Sequence, residues 1–93
     1  MSVYVDTPMD RTDKWRGGCH LIADNLEELH TFAARLGMRR AWFQPKSWPH
    51  YDLTASKRSQ AVAMGAEQIT GKRAIEILKA RYERPRDDAA VTP

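Results

Sequence analysis

The chain holds one cysteine, Cys19, so no internal disulfide can form and the fold must stand on its packed core. A reducing, cytoplasmic setting is the simplest expectation. No apolar run approaches the roughly 20 residues that a helix needs to cross a bilayer, which removes the membrane from the expected partners. The opening segment MSVYVDTPMDR lacks a basic stretch followed by an apolar one, so no secretory signal is expected. Neither H-x-x-x-H nor C-x-x-C occurs, and no cofactor fingerprint is present. Spacing alone therefore indicates no metal site and names no cofactor. Excess charge of one sign is small as well. Fifteen Lys and Arg against 12 Asp and Glu leave +3, a mild preference for an anionic partner that a few solvated lysines would equally produce.

What is present suits one folded unit. Ninety-three residues with 42% apolar and 29% charged content can close a single core. We expect one compact α/β domain over residues 1–84 and a disordered tail over residues 85–93, where the chain turns small and polar after Pro85. Val3-Tyr4-Val5 and Cys19 to Ala23 read as strands, separated by the polar loop Thr7 to Gly18. Trp15 in that loop should dock on the body or on a ligand, because a free indole is costly to expose. Asp24 and Glu27 make a D-x-x-E variant of the capping box. Leu26, Leu29, Ala33 and Leu36 then recur at helical spacing until Gly37, which predicts a helix over Asn25 to Leu36. Ala41 to Gln44 and Ala66 to Ile69 are short strand candidates. Asp52 or Thr54 can cap a second helix ending near Gly65. Thr70 can cap a third, with Ala74, Ile75, Leu78 and Tyr82 as its apolar stripe. The expected architecture is a small mixed sheet of three or four strands covered by about three helices.

The densest chemistry lies in WFQPKSWPHYDLTASKR, from Trp42 to Arg58. If Asp52 begins the second helix, His50-Tyr51-Asp52 sits among unpaired backbone N–H groups that attract phosphate or carboxylate. Lys57 and Arg58 follow one turn later, and Arg58 falls on the apolar side, where it either pairs structurally or lines a pocket. His20 is the second candidate, because strand ends facing a shared crevice carry the chemistry of α/β folds. His30 reads as a boundary residue of the first helix. A metal held by His20, His50 and Asp52 suits the residue types, yet H-x-D is a loose spacing. Adjacent Cys19 and His20 on a strand point to opposite faces, which argues against a thiolate-imidazolium pair. Asp6, Asp24 and Asp52 could cluster around Mg²⁺, although the last two have capping roles available. Arg39, Arg40, Lys46, Lys57 and Arg58 bracket Trp42, Phe43 and Trp48, the mixture that phosphate contact and base stacking need.

Several of these segments together resemble one family. V-Y-V-D at the start, C-H-L-I-A-D before L-E-E-L-H, W-F-Q leading to P-H-Y-D, then S-K-R and M-G-A, are similar to the bacterial and phage family known as domain of unknown function 4031. The resemblance spans about Val3 to Ile69, and the loop Thr7 to Gly18 departs from it. It implies a compact intracellular domain, often phage-borne, whose His, Asp and Arg positions resemble a site. It implies no particular activity.

Two functions follow as expectations. In the first, the protein binds a phosphate-bearing nucleotide or nucleic-acid end, with cleavage as the catalytic form of the same reading. Lys57 and Arg58 would hold phosphate, Trp42 or Tyr51 would stack, and His20, His50 and Asp52 would act as acid, base or orienting groups. In the second, it is a non-enzymatic phage-type module that occupies a host protein or nucleic acid, with Trp15, Trp48 and the basic loops as contacts.

Overall fold

A computed structural model describes residues 2–82. The expected tail over residues 85–93 lies outside the described residues. The elements run β1 (Val3–Val5), β2 (Cys19–Ala23), α1 (Leu26–Arg35), a 3₁₀ turn (Arg40–Trp42), β3 (Tyr51–Leu53), α2 (Ala55–Ala63), β4 (Glu67–Gln68) and α3 (Gly71–Arg81). The strands form one mixed sheet in the order β3-β2-β1-β4. β2 is antiparallel to both neighbours and β4 runs parallel to β1. The expected small α/β sheet with three helices is what forms.

Alternation along the strands sorts the core into two halves. Val5, Cys19, Leu21, Ala23, Tyr51 and Leu53 turn to one face, where they pack with Leu29, Phe32 and Ala33 of α1 and Ala61 of α2. Tyr4 and Ile22 turn to the other face and pack under Ala74, Ile77 and Leu78 of α3. Each fully buried aliphatic or aromatic side chain contributes about 1.5–3 kcal/mol, so both clusters are needed at this chain length. Cys19 lies fully buried in the first of them, and burial pushes its thiol up to about 12. Thiolate chemistry at neutral pH is thereby closed to it.

Four local expectations are corrected. Asn25, not Asp24, caps α1: its side chain accepts from the Glu28 N–H and donates to the Glu28 carboxylate, so the box is shifted by one residue. Asp24 instead accepts hydrogen bonds from the Tyr4 hydroxyl, the Ser2 N–H and Arg81. Ala41 to Gln44 is no strand. The 3₁₀ turn takes Arg40–Trp42, and only Gln44 bridges to His50. Asp52 is not a cap either, because it lies inside β3, and Thr54 caps α2 by accepting from the Lys57 N–H. In α3, Ala74 and Leu78 are buried as expected and Tyr82 packs beside them, but Ile77 and not Ile75 is the buried isoleucine.

Gly37 ends α1 with φ of 81°, a conformation that costs a side-chain-bearing residue about 1–2 kcal/mol. Lys57 reaches across from α2 and donates to the Leu36 carbonyl at 2.6 Å, neutralising the negative end of the helix. Tyr82 follows α3 and donates its hydroxyl to the Ala23 carbonyl at 2.7 Å. Burial, then the charges of Asp24 and Glu28, push its phenol up to about 12. Tyr4 and Tyr51 are also raised, in each case chiefly by burial. The folded state therefore holds these protons more tightly than the unfolded chain, whose tyrosines ionise near ~10. Stability contributed by the neutral phenols is complete below that value and is lost as pH rises from about 10 toward 12. Urea midpoints at pH 9 and pH 11 should fall accordingly, and the 295 nm phenolate absorbance should rise above pH 10 only as the fold is lost.

Candidate active site and its cleft

The register of the sheet builds the site. His20 on β2 is the direct cross-strand partner of Asp52 on β3. Tyr51 and Leu53 face the buried side, so Asp52 faces the other, together with His20. His50 stands two residues before Asp52 and shares its face, which gives the H-x-D spacing a strand meaning. Asp6 follows β1 on the same side as Tyr4. Tyr4 and Ile22 lie under α3, whereas Asp6, His20 and Asp52 fall one alternation further along their strands.

The contacts are short and directional. His20 donates Nδ1–H to Asp6 Oδ2 at 2.7 Å, and the His20 backbone N–H donates to Asp6 Oδ1 at 2.8 Å. A carboxylate accepts only, so the proton of the neutral ring sits on Nδ1 and the Nε2 lone pair turns outward. His50 Nδ1 lies 2.6 Å from the Trp48 carbonyl, again an acceptor only, which fixes the same tautomer. Both Nε2 atoms face Asp52 Oδ1, at 3.8 Å from His20 and 3.4 Å from His50. The two rings meet edge to face with centroids 5.1 Å apart. Gln44 donates its side-chain N–H to the other Asp52 oxygen, Oδ2. His20 is raised above the ordinary imidazole range, first by its hydrogen bond to Asp6 and then by the charges of Asp6 and Asp52, against the opposing effect of burial.

Asp52 also belongs to a cleft. A cavity of about 550 Å³ is lined by Lys14, Trp15, Trp42, Gln44, Asp52 and Lys57, with Met38 and Thr54 completing its wall. Trp42 is 49% exposed, an uncommon setting for an indole, and Arg39 approaches its ring at 6.0 Å. Lys14 sits 5.4 Å from the ring of Trp15. The polar loop Thr7 to Gly18 thus delivers an aromatic and a cation opposite the Trp42 turn.

The other residues named from sequence are placed as follows. Lys57 lines the cleft while its ammonium holds the Leu36 carbonyl. Arg58 spends two donors, Nε at 3.2 Å and Nη2 at 3.0 Å, on the Asp6 carbonyl, so it positions Asp6 from behind. Tyr51 is 1% exposed, with its hydroxyl 2.8 Å from His30 Nδ1, and stands in the core away from any stacking surface. Burial, with a contribution from Arg40, lowers His30. Trp48 packs against the α3 cluster, and its carbonyl serves His50. The three-aspartate arrangement does not form, since Asp24 lies at the opposite end of β2 from Asp6 and Asp52. Gln44 and Lys14 entered the site without having been singled out for it in the sequence, because only the Gln44–His50 bridge and the folded loop bring them there.

No curated protein and no solved structure matches the chain. A family model described as "Protein of unknown function (DUF4031)" matches residues 3–81, nearly all of the described fold and every residue of the site, and the chain belongs to that family.

Proposed function

We propose that the protein binds the phosphate-bearing end of a nucleotide or nucleic acid in the Trp15–Trp42 cleft and cleaves a phosphoester there. The observation that carries this reading is that Asp52 is at once a wall of the cleft and the meeting point of His20 and His50. An exposed indole on a cleft wall offers a stacking surface worth about 1–3 kcal/mol per base. Lys14 and Lys57 bring positive charge to the same cleft, suited to phosphate. Next to them, imidazoles with fixed tautomers turn Nε2 lone pairs toward Asp52, able either to take a proton or to hold a Lewis acid that polarises the phosphoester. Asp6 and the Trp48 carbonyl hold those rings from the far side, as a preorganised site requires. The lone buried thiol fits a reducing, cytoplasmic setting.

A thermal-shift panel of nucleosides, nucleoside mono- and triphosphates and 5′- or 3′-phosphorylated oligonucleotides tests the reading. A ligand bound only by the folded chain raises Tm by mass action, and saturation at 100 times Kd contributes about 2.7 kcal/mol. The expected pattern is a shift for phosphorylated members and none for the matching nucleosides, reduced in Trp42→Leu. A shift without turnover on any phosphoester would favour the binding-module reading, in which the exposed Trp42 is a contact for a macromolecule. No shift across the panel would contradict the proposal.

A further inference from the structure

We infer that His20 Nε2, His50 Nε2 and Asp52 Oδ1 are the three protein ligands of a divalent transition-metal site. The three candidate atoms lie within 4.8 Å of one another. A tetrahedral ion with bonds of ~2.0–2.1 Å needs its ligand atoms about 3.3 Å apart. The 3.4 Å and 3.8 Å separations from Asp52 are close to that value, and the widest pair has at most about 1.5 Å to close by ring and carboxylate rotation.

The supporting contacts make the argument stronger than the distances alone. In metal sites a ligating imidazole gives its remote N–H to a carboxylate or backbone carbonyl, which orients the ring and raises its basicity. Here His20 does so to Asp6 and His50 does so to the Trp48 carbonyl. The carboxylate is oriented in the same way, by Gln44 on Oδ2. Each ligand therefore has its far side tied, and each turns a lone pair to the same point. Two imidazole lone pairs and a carboxylate oxygen directed at one another repel unless something positive lies between them. Imidazole ligands favour zinc and its first-row neighbours over Mg²⁺ and Ca²⁺, which prefer oxygen. Three protein ligands leave a fourth position for water or substrate, the arrangement of catalytic rather than structural zinc. The cleft gains as well: Asp52 alone would repel a phosphate, whereas a dication held on it would attract one. This inference concerns the cluster itself and stands whichever ligand the cleft takes.

The test uses the metal alone. Zn²⁺ is titrated into the chelator-treated full chain by calorimetry, with Co²⁺ as a spectroscopic probe of coordination. One equivalent should bind, and Co²⁺ should give visible bands of a four- or five-coordinate nitrogen–oxygen site. His20→Ala, His50→Ala and Asp52→Asn should each weaken binding by ~100-fold or more, and Asp6→Asn by ~10–100-fold as an outer-shell change. His30→Ala should leave it unchanged. In the wild-type chain, the Nε2 ¹⁵N resonances of His20 and His50 should shift on adding Zn²⁺ while that of His30 does not, a readout independent of how the variants fold. Absence of binding, or binding that persists in His20→Ala and His50→Ala, overturns the site. Phosphate-ligand shifts in a chain that calorimetry shows to bind no Zn²⁺ would leave the cleft reading standing while removing the metal.

Discussion

Gly18→Ala should cost about 3 kcal/mol or more and lower Tm by on the order of 15 °C. A Cβ at this position would lie 2.2 Å from the Leu53 carbonyl oxygen and 3.0 Å from that of Trp15. Both obstacles are backbone, so neither can swing aside as a side chain could. Relief requires β3 to move away from β2, or the loop before β2 to move off the sheet. That loop is tied at the same place: the Met9 N–H donates to the Gly18 carbonyl at 2.8 Å, and the Gly18 N–H donates to the Trp15 carbonyl at 2.8 Å. The substitution therefore strikes the two elements that carry Asp52 and Trp15. Chemical denaturation gives the stability change directly. A loss below about 1 kcal/mol would mean that β2 and β3 are not held at this spacing. The contrasting site is Gly71, where an added Cβ meets nothing within 4 Å. Gly71→Ala at the start of α3 should be neutral or slightly stabilising.

The second large effect is expected on activity. His20→Ala or His50→Ala should lower phosphoester turnover by ~10²–10⁴-fold, the contribution usual for a positioned acid, base or orienting imidazole. The fold should survive. Side-chain exposure of His20 is 44%, and loss of its ring leaves Asp6 still bonded to the His20 backbone N–H. His20→Ala should cost about 1 kcal/mol, the net value of one lost hydrogen bond, and His50→Ala somewhat more because its side chain is 16% exposed. Arg58→Ala makes the contrasting case. It removes both donors to the Asp6 carbonyl, so it should lower stability and activity together, by about 1.5–3 kcal/mol in the former. A residue that acts only by positioning Asp6 loses function in proportion to lost order. Turnover of His20→Ala or His50→Ala within a few-fold of wild type would remove the cluster from the chemistry.

Helical periodicity and end signals made α1 and α3 readable, because the Leu29, Phe32 and Ala33 face and the Thr70 cap are local properties of the chain. β3 was hidden by a competing local signal. Asp52 ahead of a helix looks like a cap, yet His50-Tyr51-Asp52-Leu53 is also an out-in-out-in alternation, and pairing with β2 decides in favour of the strand. β4 lies inside the strand expected over Ala66 to Ile69, but its own Glu67 and Gln68 are both exposed, so the parallel pairing with β1 rather than burial defines it. For the site, residue types pointed to His20, His50, Asp52 and Trp42. What the sequence could not supply was register. The His20–Asp52 pairing joins residues 32 positions apart, and the Asp6–His20 contact crosses a loop whose path no local rule dictates. The same limit explains Lys57 and Arg58. Their contacts with the Leu36 and Asp6 carbonyls join residues 21 and 52 positions apart, which no local rule gives.

The central claim is that the Trp15–Trp42 cleft recognises a phosphorylated nucleotide beside Asp52, and tryptophan fluorescence tests it most directly. Two of the three tryptophans line the cleft, and the third, Trp48, packs against the α3 cluster. Titrating a nucleoside monophosphate into the wild-type chain should give saturable quenching. The matching nucleoside should quench weakly, and the Trp15→Leu/Trp42→Leu double variant should keep only the unresponsive emission of Trp48. Equal quenching by nucleoside and nucleotide, or quenching that persists in the double variant, would contradict the account.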